Sequence, residues 1–213
     1  MANTLAPFGF AQVGTASNMP NYARAGSASP YRIKAGFVTS VYFGDAVRMW
    51  VAGDDSSSAA GYITPWVAGD GDVSTPTKIL VGIFVGCQYY SLSQHKTVYS
   101  KFYPGADAAA DVDAYVVDDP ESQWMVQAGV VATPFTQVYV GSTADVVVTP
   151  VGNTTTGISG MSLDTPQTSV YFPFKLVNII NTPPTANGRD ITTAYNYVTV
   201  AFNNQQYKAR LGV

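Results

Sequence analysis

The shortage of helix-forming residues constrains the fold of this chain more than any other feature of its sequence. Its 213 residues include a single glutamate and six leucines, against 27 valines and 21 threonines. Glutamate and leucine favour helices, whereas β-branched valine and threonine are restricted in a helix and pack well on a pleated sheet. With 19 glycines and 13 prolines to form turns, the sequence excludes a helical bundle or coiled coil. It predicts an all-β protein whose main domain is a jelly-roll-like β-sandwich or a β-barrel.

Short β-branched and aromatic runs, separated by turn signals, continue from residue 31 onward. We predict strands at 31–34, 37–43, 46–51, 62–64, 78–90, 97–103, 111–117, 123–127, 145–149, 174–180 and 197–202, and one short helix near 134–139. The run from Lys78 to Tyr90 is apolar on both faces, which predicts a central strand that is covered on both sides. Gly82 and Gly86 within this run indicate a bend or a close approach of another backbone.

The first 30 residues differ from the rest of the chain, because neither a helical nor a strand period runs through them. Their prolines favour an extended path, and their aromatic residues are more than a solvated tail requires. We predict an extended N-terminal arm at 1–30 that lies along another subunit, followed by a β-sandwich or barrel at 31–213 in which the core strands begin after Pro30. A disordered tail is the alternative. The residues predicted to contact a capsid or another protomer are Pro7, Phe8, Phe10, Tyr22 and Tyr31.

The charge pattern narrows the range of partners. Charged residues make up 12% of the chain, the net charge is −3, and the 11 basic residues form no run or stripe that would follow a phosphate backbone. We therefore expect no nucleic-acid partner. The longest apolar stretch, Ile79 to Cys87, is too short for a transmembrane helix, and no secretion leader is recognisable, so we expect no membrane partner and synthesis in the cytoplasm. The single cysteine, Cys87, fits a reducing compartment.

The residue types that carry out catalysis are scarce. Cys87 and His95 are the only cysteine and histidine, so they cannot supply the ligands of a zinc site. Cys87 lies in a predicted apolar strand, where burial makes a thiol unreactive. His95 is predicted to be an exposed residue in a turn. The stretch from Gly157 to Met161 has its second glycine one place too early for a nucleophile elbow. We expect no catalytic residue and no cofactor.

Aspartate is plentiful, so paired carboxylates and calcium binding need separate consideration. Asp111 and Asp113 would lie on one face of a strand, but aspartates here mostly mark strand ends and turns. The spacing of Asp70, Asp72 and Ser74 copies the start of a calcium loop, although Thr75 replaces its glycine and Val81 its terminal glutamate. The pattern therefore favours a protein without a metal site, and a hydrolase that uses paired aspartates is the least favoured function.

The aromatic residues suggest interfaces. Tyrosines and phenylalanines recur on successive predicted strands, at Tyr89, Tyr90, Tyr99, Phe102 and Tyr103. Core packing explains most of them. The others are suited to a subunit interface or, as an alternative, to stacking on a sugar ring, because tyrosine buries a large area at a low cost in rotamer entropy.

Four short segments resemble the structural proteins of tailed bacteriophages, specifically the head decoration or cement proteins. They are ANTLAPFGF at 2–10, VYFGDAV at 41–47, VGIFVGC at 81–87 and VAFNNQQY at 200–207. The resemblance implies an all-β, non-enzymatic virion protein, made in the bacterial cytoplasm, that binds the capsid exterior and cements neighbouring capsomers. Its implied partners are the major capsid protein and further copies of itself, as a homotrimer or a homodimer. It assigns no individual binding residue.

The rival interpretation is a carbohydrate-binding or host-attachment β-domain of a phage tail or fibre. Such a domain would need an exposed aromatic platform with aspartate or asparagine close to it. The number of copies per particle separates the two interpretations, since a cement protein is present at a far higher copy number than an attachment protein.

Overall fold

A computed structural model describes residues 2–15, 31–51, 61–71, 78–129, 133–181 and 186–208. It confirms the all-β prediction, because these ranges contain strands and a single short 3-10 helix. The strands are β1 (Ala11–Thr15), β2 (Tyr31–Ile33), β3 (Ala46–Met49), β4 (Ile63–Pro65), β5 (Leu80–Ser91), β6 (Lys96–Ser100), β7 (Val112–Val117), β8 (Ser122–Gln127), β9 (Thr143–Ala144), β10 (Val146–Val147), β11 (Ser162–Leu163), β12 (Phe174–Ile179) and β13 (Tyr197–Phe202). The 3-10 helix, Gln137–Tyr139, lies within the predicted helical range. In the described ranges, no helix is both long and apolar enough to cross a membrane.

The strands form two large antiparallel sheets and one small one. The first large sheet has the order β1-β8-β13-β12-β9, and β10 pairs with β11 in the small sheet. The second large sheet has the order β2-β7-β5-β3-β4, with β6 also paired to β5. At 12 residues, β5 is long enough for β3 to pair with its beginning and β6 with its end, while β7 pairs along the opposite edge.

The two large sheets share one hydrophobic core. The first sheet contributes Trp124 and Phe174, and the second contributes Leu80 and Ile83. Phe10 fills the space between them, with its ring stacked on Phe174 at a centroid distance of 4.3 Å. Burial of these large side chains removes much apolar surface from water, and this is the main force that holds the sheets together.

The second sheet has a core on its other face as well. Val81, Phe84 and Cys87 of β5 pack there against Tyr103. Strands β2 and β4, which end the order of this sheet, contact one another, so the sheet curls around this core. The prediction of a central strand covered on both faces is therefore confirmed for β5 from Leu80 to Cys87, whereas Tyr90, at the end of the predicted run, is 48% exposed.

Both glycines of β5 are explained by their surroundings. A side chain on Gly82 would collide with the carbonyl oxygen of Val117 on β7. The pairing of β5 with β7 shifts register between Phe84 and Gly86, where a β-bulge bends the strand. The predicted close approach and the predicted bend are both present.

One predicted strand is wrong. Within 37–43, only Val41 and Phe43 form isolated bridges, and no strand develops. A turn at Gly36, whose φ is +74°, starts this segment, and the backbone N–H of Tyr42 donates to the Asp45 carboxylate instead of to a neighbouring strand. Local turn chemistry here overrides the strand propensity of the aromatic and β-branched residues.

The N-terminal residues 2–15 belong to the same core as the rest of the chain. Strand β1 pairs with β8 at the edge of the first sheet, and Phe10 is 1% exposed. Asn3 is buried, and its amide accepts a hydrogen bond from Gly188 at 2.8 Å and donates one to the carbonyl of Asp190 at 2.8 Å. The expectation that core strands begin after Pro30 is therefore wrong. The remainder of the predicted arm, 16–30, lies outside the described residues.

Candidate functional site

The two residues considered for nucleophilic chemistry lie apart and in unsuitable surroundings. Cys87 is 1% exposed, and burial raises the pKa of its thiol to about 12, so the thiol is protonated at neutral pH. His95 is exposed in the turn between β5 and β6, with a φ of 52°. Ser159 is buried and its hydroxyl accepts a hydrogen bond from the backbone of Met161. The geometry of these groups does not form a nucleophile–base pair.

The candidate aspartates hold the fold together. Asp70 is buried between the guanidinium of Arg48 and the amine of Lys78, which lies 3.0 Å from its carboxylate. Asp111 accepts hydrogen bonds from the backbone of Ala35 and the hydroxyl of Tyr62, and these bonds lower the pKa of its carboxyl. Among the described residues, no three His, Cys, Asp or Glu side chains are grouped to hold a metal ion. Asp72 and the rest of the suggested calcium loop through 77 lie outside those residues.

Two other carboxylates have strongly perturbed environments. Burial raises the pKa of Asp45 to about 6, although a hydrogen bond from Ser159 and one from the Tyr42 backbone oppose this shift. Burial also raises the pKa of Asp145 to about 6, although the indole N–H of Trp66 donates to it at 2.9 Å. Because both groups are held by structural hydrogen bonds, we interpret them as components of the core that respond to pH.

The face of the second sheet that carries Ile83 and Val117 into the shared core continues beyond them as a row of aromatic and polar residues. On β5, Gln88 lies opposite Tyr99 of β6 on one side and opposite Asp113 of β7 on the other. Asp113 in turn lies opposite Arg32 of β2. Side chains two positions apart on a strand share a face, so Tyr90 and Tyr115 join this row. We call this surface the tyrosine face, and its members are Arg32, Gln88, Tyr90, Tyr99, Asp113 and Tyr115.

The rings of the tyrosine face are exposed while its polar groups are held in position. Tyr99 is 72% exposed and Tyr90 is 48% exposed. The hydroxyl of Tyr115 donates to the Gln88 side chain at 3.2 Å, and Arg32 lies 3.5 Å from the Asp113 carboxylate. This arrangement offers aromatic area together with both hydrogen-bond donors and acceptors, and it suits recognition of another molecule.

Part of this face was predictable from the sequence. The sequence singled out Tyr90 and Tyr99, and the structure separates them from Tyr89 and Tyr103, whose rings pack edge to face at 5.6 Å in the second core. Tyr115 was missed, although the alternation of apolar and polar residues along β7 would have placed it beside Asp113.

The predicted interface residues do not form one exposed patch. Pro7 is half-buried, and so is Phe8, whose ring packs edge-on against Tyr197 at 5.2 Å. Phe10 is in the core. The hydroxyl of Tyr31 donates to Asp118 at 2.8 Å and lies 3.3 Å from that of Tyr207. Tyr22 lies outside the described residues, and contact of Pro7, Phe8 and Tyr31 with a partner stays a prediction.

A groove of about 730 Å³ is the second surface feature of interest. It is lined by residues of 34–40, of β3 and β4, of the segments that follow these two strands, and of 148–152. Both aromatic and aliphatic side chains line it, together with the charged side chains of Lys34, Asp45, Arg48 and Lys78. We call this feature the groove.

Comparison of the chain with protein-family models, with curated proteins and with solved structures finds no match in any of the three. The function is therefore inferred from the residues and surfaces of the chain itself.

Proposed function

We propose that this chain is a virion structural protein that binds the outside of a bacteriophage capsid and cements neighbouring capsomers. The observation that carries the proposal is the tyrosine face, which combines exposed aromatic rings with hydrogen-bonded polar groups. The candidate catalytic residues, in contrast, are buried, far apart or engaged in structural hydrogen bonds. The resemblance of four sequence segments to phage decoration proteins supports the same function.

The chemistry of the tyrosine face suits a protein partner. Tyrosine and arginine are over-represented among the residues that dominate binding energy at protein interfaces. A tyrosine ring has few rotatable bonds, so its immobilisation costs little entropy. The bonds from Tyr115 to Gln88 and from Arg32 to Asp113 already fix polar groups before a partner arrives, which further lowers the cost of binding.

The proposed partners are the major capsid protein and further copies of this chain. A capsid offers many equivalent sites around local symmetry axes, where a closed homotrimer or homodimer fits. Each copy in such an oligomer adds its contacts to those of its neighbours, so moderate contacts give a high overall avidity. A cement protein therefore does not need one very strong binding site.

The second candidate function, carbohydrate binding by a tail or fibre domain, is favoured by one feature of the same face. Gln88 lies directly opposite the exposed ring of Tyr99, and Asp113 lies opposite Gln88 on the other side, so polar groups are available near a ring that could stack on a sugar. A high copy number per particle supports the capsid proposal, and a few copies on the tail support the carbohydrate proposal.

The experiment that tests the proposal measures rebinding of the protein to capsids that lack it. A variant with both Tyr90→Ala and Tyr99→Ala should lower occupancy at least roughly tenfold, because central interface tyrosines contribute about 2 kcal/mol or more each. Co-sedimentation of capsids with increasing protein concentration measures the effect. Val138→Ala is the control, because Val138 is 86% exposed in the 3-10 helix and lies outside the tyrosine face and the predicted interface residues. Equal binding of the double variant and the control would contradict the assignment of this face.

A further inference from the structure

We propose that β6 pairs with β6 of a second copy of this chain, antiparallel and about a two-fold axis at Val98. The second sheets of the two copies would then form one continuous sheet. The inference rests on the proposed function in one respect, since self-association is part of that function, and it assigns this association to one strand.

Strand β6 has an open edge. Its five residues pair with the end of β5 on one side, and in the described ranges they pair with no other strand. The backbone hydrogen bonds that join loops and turns in those ranges do not involve 96–100 either. The outward N–H and C=O groups of such a strand are a template for another strand.

The other strands that end the two large sheets are shielded, whereas β6 is not. β1 carries a bulge between Gln12 and Gly14, β9 has only two residues, and β2 and β4 have three residues each and contact one another. Bulges, short strands, proline and charge are the usual means by which proteins prevent edge-to-edge pairing. β6 pairs with β5 without a register shift, contains no proline, and carries its only charge on Lys96 at its beginning. It is therefore a regular edge to which a further strand can be added.

The sequence of β6 is complementary to itself when two copies run antiparallel. With Val98 opposite Val98 of the second copy, Thr97 lies opposite Tyr99 and Lys96 lies opposite Ser100. A β-branched residue opposite an aromatic one is a favourable cross-strand pair, and no two like charges lie opposite one another. Parallel pairing in register would instead place Lys96 beside its own copy. Charge therefore favours the antiparallel arrangement.

Pairing would also cover apolar side chains on both faces of the strand. Val98 is half-buried and packs against the second core, so the same residue from the second copy would continue that core. On the opposite face, Tyr99 is 72% exposed. The two copies of Tyr99 would be diagonal neighbours, at a separation that aromatic side chains span. The two tyrosine faces would therefore become one surface.

The occupant that leaves no edge open is a second copy of the chain. A peptide strand added to β6 would itself present a new open edge, whereas the pairing of two identical edges covers both at once. Such a contact is isologous, so assembly stops at two copies. The inference therefore selects the homodimer over the homotrimer.

Sedimentation equilibrium of the full chain in solution gives the first test. We expect species of one and two times the 22.6 kDa mass of the chain, with a dissociation constant below about 100 µM. A chain that stays monomeric at this concentration, or that forms a trimer, would overturn the proposal.

Two charge variants test which strand pairs. Thr97→Asp with Tyr99→Asp puts like charges opposite one another, and Thr97→Lys with Tyr99→Lys does the same with the other sign. Each variant alone should dimerise at least roughly tenfold more weakly than the unchanged chain, and an equimolar mixture should recover at least about tenfold. Gln137→Asp with Val138→Asp adds the same charge on the exposed 3-10 helix and should leave dimerisation unchanged. A mixture that associates no more tightly than either variant alone would contradict the pairing.

Disulfide formation tests the register. Val98→Cys would bring two thiols together at the two-fold axis, within the Cα separation of up to about 7 Å that a disulfide allows. In Lys96→Cys, on the same strand and face, the two copies would lie four positions apart, or roughly 14 Å. Under mild oxidation we expect a covalent dimer on non-reducing gels for Val98→Cys, and none for Lys96→Cys or for the unchanged chain, whose Cys87 is buried. Circular dichroism establishes that each variant is folded. Equal yields from the two variants, or no covalent dimer from folded Val98→Cys, would overturn the proposal.

Failure of this inference is distinguishable from failure of the proposed function. A chain that is monomeric in solution but still binds capsids overturns the pairing and supports the capsid proposal. A dimer paired through β6 that does not bind capsids supports the pairing and overturns the capsid proposal.

Discussion

Two carboxylates, Asp45 and Asp145, are buried where their charged form is disfavoured, and they make the stability of the folded chain depend on pH. Burial raises the pKa of each from 3.8 to about 6. The folded state therefore holds these protons more tightly than the unfolded state does. Their stabilising contribution is complete below about pH 4 and is lost as the pH rises through about 6.

The substitution Asp45→Asn tests this effect, because it retains an acceptor for the Tyr42 N–H but cannot ionise. Relative to the unchanged chain, the variant should gain stability between pH 4 and pH 7 by about 1–3 kcal/mol, measured by urea unfolding at both values. Asp107→Asn is the control, because hydrogen bonds from Ser91 and Ser93 lower the pKa of Asp107 below its ordinary value of 3.8, so its contribution changes below pH 4 and this variant should show little pH dependence between pH 4 and pH 7. A pH-independent difference for Asp45→Asn would contradict the account.

At the scale of elements, β1 joins the N-terminal segment to the core of the first sheet. Its pairing with β8 covers an edge of that sheet, and Phe10, which immediately precedes it, stacks on Phe174. Phe10→Ala should destabilise the chain by about 3–5 kcal/mol, because it removes a fully buried ring and leaves a cavity. Phe8→Ala should cost much less, because Phe8 is only half-buried. Urea unfolding compares the two, and equal effects would mean that the segment is not part of the core.

The sequence predicted the elements whose residues follow a strong pattern. The doubly apolar run of β5 and the alternation along β7 and β8 are such patterns. It did not predict β1, because this short strand has a bulge between Gln12 and Gly14, and the nearby residues Asn3 and Phe10 are buried through contacts with residues far away in sequence. The periodicity of neighbouring residues does not predict contacts between residues that are far apart in sequence.

The candidate surfaces were predictable only in part for a related reason. Tyr99 and Asp113 become neighbours of Gln88 through strand pairing, and pairing depends on register as well as on composition. The groove joins segments around residues 38, 66 and 150, so no window of sequence contains it. In contrast, the inert setting of Cys87 followed directly from the apolar run around it.

At the scale of the whole molecule, the tyrosine face and the groove are two distinct surfaces on one set of packed sheets. Bridging of neighbouring capsomers, as proposed, requires that one copy of the chain contacts two neighbours at once. The first surface is aromatic and polar, whereas the second is lined by aromatic and aliphatic side chains together with paired charged groups.

Cryo-electron microscopy of purified phage particles tests the central proposal most directly. We predict density for this chain at many equivalent positions on the capsid exterior, between neighbouring capsomers, as a homotrimer or homodimer. Tyr90 and Tyr99 should be buried against the capsid or against another copy of the chain. Density confined to the tail or fibres, or capsid-bound copies with the tyrosine face open to solvent, would contradict the account.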